Sequence, residues 1–161
     1  MTEPIIERIL QNVKTVVDGI TVVAGYNQDL DAVRPTKMDF DDGAPAVNGK
    51  VVILCDDPEP NVEKSNAGNP ARQAWTLSLV LVAYVIPSDT STTPIDTLIN
   101  RVRADIEKAL QADPYRGELA VDTSPAGSQK FVEEGGAACG VAVFVDVVYR
   151  TPINDPYTAA G

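Results

Sequence analysis

Residues 74–86 read "AWTLSLVLVAYVI". Trp75, Leu77, Leu79, Leu81, Ala83 and Val85 alternate with Ala74, Thr76, Ser78, Val80, Val82, Tyr84 and Ile86, and both sets are mainly apolar. A strand puts one set on each face. With apolar groups on both, the run is predicted to be a central strand covered on either side. A second run, residues 140–150, carries Val141, Val143, Val145, Val147 and Tyr149 on one side and Ala142, Phe144, Asp146, Val148 and Arg150 on the other. "KVVILC" at 50–55 reads as a third strand and "ITVVAG" at 20–25 as a short one. "DAVRPTKMDF" has Pro35 in its middle, so it can be at most an edge strand.

Two segments carry the helical period instead. Ile5, Ile6, Ile9, Leu10, Val13, Val16 and Val17 share one face, with Glu7, Arg8, Gln11, Asn12 and Lys14 opposite. Thr2 or Glu3 is expected to cap this helix, Pro4 suits its first turn, and Asp18-Gly19 ends it. In the second helix Thr93 is the expected cap, Pro94 the first helical residue, and Asp96 lies three residues after the cap. Ile95, Leu98, Ile99, Val102, Ile106, Ala109 and Leu110 form its apolar stripe; Arg101, Asp105, Glu107 and Lys108 are expected to face water. "DPYRG" stops it.

The connections are distinctive. Residues 56–73 contain Pro58, Pro60 and Pro70 and almost no large apolar group, so they read as a long loop, either disordered or ordering on assembly. "ELAVD" and "QKFVEE" flank "SPAG" at 124–127, which fits a type I turn and predicts a hairpin. Residues 151–161 show no period and read as an extended C-terminal arm. Strands cluster rather than alternate with helices. The expected fold is a single α+β domain over 1–161, a largely antiparallel sheet with two amphipathic helices on one face.

Few chemistries fit this composition. There is no histidine, which removes the usual general base near neutral pH and any Ser-His-Asp or Cys-His arrangement. Gly135 and Gly140 have the spacing that opens a phosphate loop, but Val141-Ala142 stands where lysine and a hydroxyl are needed, and a strand follows in place of a helix. Those glycines are expected to allow a turn or bulge before the strand. An EF-hand loop opened at Asp39 needs Gly at 44 and Glu at 50; the chain has Ala44 and Lys50. Cys55 and Cys139 lie in apolar strand contexts and read as two buried free thiols, with a disulfide left open. No catalytic, cofactor-binding or metal-ligating residue is assigned. The formal net charge of -10 argues against wrapping nucleic acid. No apolar run approaches a membrane span and no basic-then-apolar leader opens the chain, so a cytoplasmic protein is expected.

Asp146 and Arg150 stand out because a charge within such a strand needs a partner, either on a neighbouring strand or on a neighbouring subunit. The wider pattern is a leading "IIERILQNVKTVVDGI", a central "YVIPSDTSTTPIDTLINRVRADIEKALQADPYRG", a closing "GVAVFVDVVYRT" and a short "NDPYTA" tail. It resembles the tail terminator, or tail completion, proteins of long-tailed bacteriophages. The resemblance implies a small α+β subunit that forms a ring, expected to be a hexamer, on the last ring of the tail tube. It further implies a tail-tube partner, a head-tail connector or neck partner, DNA passing through without specific binding, and residence at the neck end of the virion tail after assembly in the bacterial cytoplasm. Asp146, Arg150 and Tyr157 are the interface candidates on this view. Asp56, Asp57, Glu59 and Glu63 are the candidates to face the channel, where carboxylates repel DNA. The alternatives are a stopper or adaptor of the same neck, a monomeric protein-binding module, and a small enzyme using carboxylate, lysine or serine chemistry.

Overall fold

A computed structural model describes residues 3–35, 47–60, 72–132 and 138–160. Helix α1 (Ile5–Asp18) buries Ile5, Ile9, Leu10, Val13 and Val17, the apolar stripe expected of it. No side chain caps its start; Pro4 occupies the cap position. The Ile5 N–H instead donates to the Pro156 carbonyl at 2.9 Å, so the far end of the chain satisfies the helix's first orphan donor. Of the expected caps, Glu3 does not cap and Thr2 lies outside the described residues. Helix α2 (Ile95–Gln111) likewise starts after Pro94 with no side-chain cap, one residue later than the sequence suggests.

Residues 20–25 do not form a strand. Val22–Ala24 wind into a 3-10 turn, because the Thr21 hydroxyl accepts from the Ala24 N–H at 3.2 Å and the Asp29 carboxylate accepts from the Val22 N–H at 2.7 Å. Such side-chain acceptors compete with a sheet ladder for the backbone.

Six strands follow: β1 (Asp31–Val33), β2 (Lys50–Cys55), β3 (Glu59–Pro60), β4 (Arg72–Val85), β5 (Asp122–Val132) and β6 (Cys139–Pro152). Their order in the sheet is β1-β2-β4-β6-β5, with β3 pairing to β4 off that path. β1 runs parallel to β2 and every other pairing is antiparallel. The two doubly apolar runs are therefore central, joined along their whole length from Arg72↔Pro152 to Val85↔Cys139. Leu77, Leu79 and Leu81 of β4 and Val141, Val143 and Val145 of β6 meet both helices in one core. β1 is an edge strand, as Pro35 requires.

Three connections differ from expectation. "SPAG" is not a hairpin turn. β5 passes straight through it along β6, with a bulge between Pro125 and Gly127 and Gly127 at φ +119°. An outermost strand tolerates proline, and a bulge absorbs the extra residue. "ELAVD" is mostly turn, entered through Arg116, Gly117 and Glu118 at positive φ, so β5 begins only at Asp122. The C-terminal segment is not a free arm: the Ala160 N–H donates to the Arg150 carbonyl at 2.9 Å and Ala159 packs on the core. The 56–73 loop is shortened at both ends, since Glu59 and Pro60 pair with Thr76 and Trp75 and β4 takes in Arg72 and Gln73. Its residues 61–71, the Asp39 acidic turn and Gly135 lie outside the described residues.

Asp105 does not face water. It is 4% exposed and accepts the Asn27 backbone N–H at 2.9 Å and the Asn27 side-chain amide at 2.8 Å, tying α2 to the loop before β1. Arg116 is fully buried and donates to the Leu110 and Asp113 carbonyls, which shows how "DPYRG" closes the end of α2. Burial pushes the Arg116 guanidinium below its ordinary pKa.

Candidate interaction surfaces

Both helices pack on the face of the sheet that carries the odd-numbered side chains of β4 and β6. The even-numbered side chains form the other face. At one end of it lie Val80, Val82, Tyr84, Ala142 and Phe144, joined by Val52 and Leu54 of β2, which pair with Val82 and Val80. Phe131 of β5 sits opposite Gly140 and meets Tyr84 edge to face, with ring centroids 5.6 Å apart. Gly140 is neither turn nor bulge: a Cβ there would come within 2.0 Å of the Ala83 carbonyl oxygen and 2.8 Å of the Phe131 ring. It is glycine so that two strands and an aromatic ring can close over it.

The other end of this face is acidic and hydroxylic. Asp146 lies between Ser78 of β4 and Ser124 of β5, and its carboxylate accepts the Ser78 hydroxyl at 2.7 Å. Asp122 pairs with Val148 on the same face, and Glu59 pairs with Thr76. The Asp56 N–H donates to the Ser78 carbonyl at 3.2 Å, and Asp57 follows it, exposed. Of the four channel candidates, Asp56 and Glu59 border β4 at Ser78 and Thr76, on the side of that strand away from Asp146, and Asp57 is exposed between them in the chain. Glu63 lies outside the described residues. Arg150 is four residues from Asp146 along β6, opposite Ala74, and is engaged within the subunit. The strand-borne carboxylate finds its partner in a neighbouring hydroxyl. Tyr157 is separate from both, half-exposed on the C-terminal turn, with its N–H on the Asp155 carboxylate at 3.0 Å.

A pocket of about 370 Å³ opens where α1 begins and β6 ends. Trp75 and Tyr149, cross-strand neighbours, share its lining with Pro4, Ile6, Pro152 and Pro156. The Trp75 indole N–H donates to the Thr151 hydroxyl at 3.2 Å. Tyr149 is 3% exposed, and burial pushes its phenol up to about 12. It therefore stays protonated at any physiological pH. None of the described residues hydrogen-bonds its hydroxyl. Asp155 on the rim is held below the ordinary carboxylate range by hydrogen bonds from the Thr158 side chain and the Tyr157 N–H. The sequence signals this pocket only weakly, through prolines that are distant in the chain and converge in space.

Cys55 is exposed, not buried, and Cys139 is half-buried with its thiol on the Val85 carbonyl at 3.0 Å. They pair with Leu79 and Val85 respectively, six residues apart on β4 and so roughly 20 Å apart at ~3.4 Å per residue. No disulfide can span that. Among the described residues no cluster of three or more histidine, cysteine, aspartate or glutamate side chains could hold a metal ion, and no helix is long and apolar enough to cross a membrane.

These features define a class: an α+β domain in which, among the described residues, helices cover one face of the sheet. No protein-family model matches the chain, and no curated protein matches it.

Proposed function

We propose that this chain is the structural subunit of a ring that caps the end of a phage tail tube, halts its growth and offers the surface to which the head is joined. The observation that carries the reading is the one-sided sheet. Helices cover one face, the other is apolar at one end and acidic at the other, and the 11-residue β5 ends it with an outer edge that no described strand pairs. Apolar surface and an unpaired edge of that length are liabilities in an isolated subunit and assets in a subunit that packs against neighbours. On this reading Asp56, Asp57 and Glu59 face the passage for DNA together with Asp146, and their charge keeps a polyanion moving. Six copies surround the tube end, with the tail-tube protein on one side and a connector protein on the other.

The deciding experiment is electron microscopy of the purified protein with and without tail tubes. Rings seated on tube ends support the reading. A monomer indifferent to tubes refutes it. A stopper or adaptor of the same neck would bind the portal complex and leave tube ends bare.

A further inference from the structure

The turn that follows α1 displays two valines to water. Val23 is 100% exposed and Val22 57%. A lone surface valine is ordinary. What sets this pair apart is the rigidity of the turn beneath it. The Thr21 carbonyl accepts from the Ala24 and Tyr26 N–H groups at 3.0 and 3.2 Å, the Asp29 carboxylate holds the Val22 N–H, and Gly25 closes the turn at φ +87°. Tyr26 packs on the core below with the Lys108 ammonium 4.8 Å from its ring centroid, and Asn27 is bound twice to buried Asp105. A turn already fixed in this way loses little further freedom when it docks.

The Trp75–Tyr149 pocket lies at the opposite end of the same helix. α1 has 14 residues, so about 21 Å of helix separates the two features. The pocket lining contains no lysine or arginine, and Asp155 stands on its rim. The Tyr149 hydroxyl lines that pocket, has no hydrogen-bond partner among the described residues and is not sealed from solvent. The pocket therefore offers an apolar slot, the hydroxyls of Tyr149 and Thr151, the Gln73 and Asn154 amides and a negative rim. The turn offers two apolar side chains, backbone carbonyls and the cation of Lys108.

We infer that the Val22–Val23 turn of one copy seats in the Trp75–Tyr149 pocket of the next. Unlike surfaces at opposite ends of one helix join copies head to tail, and such contacts close into rings or run on into filaments. The Tyr149 hydroxyl then donates to a carbonyl of the incoming turn, and Lys108 approaches Asp155. The inference rests on the ring reading and names the surfaces that would build the ring.

The test uses Val23→Asp, which removes the apolar knob at a position that touches nothing in its own subunit, and Gln73→Glu, which places a charge in the pocket wall. Self-association is followed by sedimentation and capping by electron microscopy of tail-tube ends. Trp75 is the only tryptophan in the chain, so its emission reports directly on the pocket. Wild-type protein is expected to associate with a shift in Trp75 emission. Each variant should melt with the wild type and associate about tenfold or more weakly, the worth of one buried valine. Mixed together, the two variants retain one intact knob and one intact pocket, so they should form pairs and stop there. A Val23→Asp protein that associates or caps as well as the wild type overturns the contact and leaves the ring reading standing. Wild-type protein that neither associates nor caps overturns both.

Discussion

Asp105→Ala tests how the loop carrying the exposed valines is held. The Asp105 carboxylate accepts two N–H groups of Asn27, at 2.9 and 2.8 Å, from a position 4% exposed on α2. Hydrogen bonds to a charged acceptor are each worth ~1.5–3 kcal/mol, so the pair is worth about 4 kcal/mol gross. Removing a charge that was costly to bury returns part of that. The net loss should be about 2.5 kcal/mol, because the Asn27 backbone N–H is left behind without its acceptor. For a chain of this size each kcal/mol moves the melting temperature by about 2–4 °C, giving a fall of roughly 5–10 °C. Asp105→Asn keeps one acceptor oxygen and should fall about half as far. Thermal unfolding followed by circular dichroism reads both. If Asp105→Ala melts within about 2 °C of the wild type, the carboxylate does not hold the loop and the turn is not pre-formed by it.

Other consequences are as direct. Gly140→Ala forces a methyl group against the Ala83 carbonyl, so it should cost about 3 kcal/mol in urea denaturation; adding Phe131→Ala should not rescue it, since the backbone clash remains. Glu7 forms a two-pronged pair with Arg34, at 2.6 and 2.8 Å, and those bonds lower its pKa. A lowered carboxylate contributes fully above its unfolded value of about 4.3 and loses that contribution as pH falls through the folded value. Glu7→Gln should therefore be less stable than wild type by about 0.5–1 kcal/mol at neutral pH, with the gap closing in acid. Cys55 is exposed, yet burial of its sulfur and the nearby Asp56 and Asp57 raise its pKa. Iodoacetamide should modify it more slowly than free cysteine at neutral pH, and oxidation should yield no Cys55–Cys139 bridge within a subunit.

The sequence carried the regular elements well. β4 and β6 were legible because apolar residues on both faces leave a strand nowhere to go but the middle of a sheet. The stripes of α1 and α2 were legible from their period. What escaped notice depended on partners remote in sequence. Asp105 sits where a helical wheel points to water, and only Asn27, brought in from 78 residues away, makes its burial tolerable. The Ser-Pro-Ala-Gly stretch has turn chemistry, but its place at the sheet edge lets a bulge take up the same residues. Prolines at 4, 152 and 156 looked like punctuation in separate segments and became one wall of a pocket. In sequence the acidic residues read as a loop cluster; the pairing of β3 with β4 sets Glu59 on the same face as Asp146.

The pairing of β4 with β6 also governs the order in which the molecule can come together. Partners along that ladder run from Arg72 with Pro152 to Val85 with Cys139, so each closes a loop of tens of residues that contains all of α2. Closing such loops consumes chain entropy before any apolar area is gained, and chains dominated by such pairings fold in milliseconds to seconds. The last long strand is also the one on which the sheet hinges. During synthesis, β1, β2 and β4 emerge with one side of β4 unmatched, and they wait in that state until β6 leaves the ribosome. β5 joins the sheet only through β6, so the sheet and its outer edge are complete only late in synthesis.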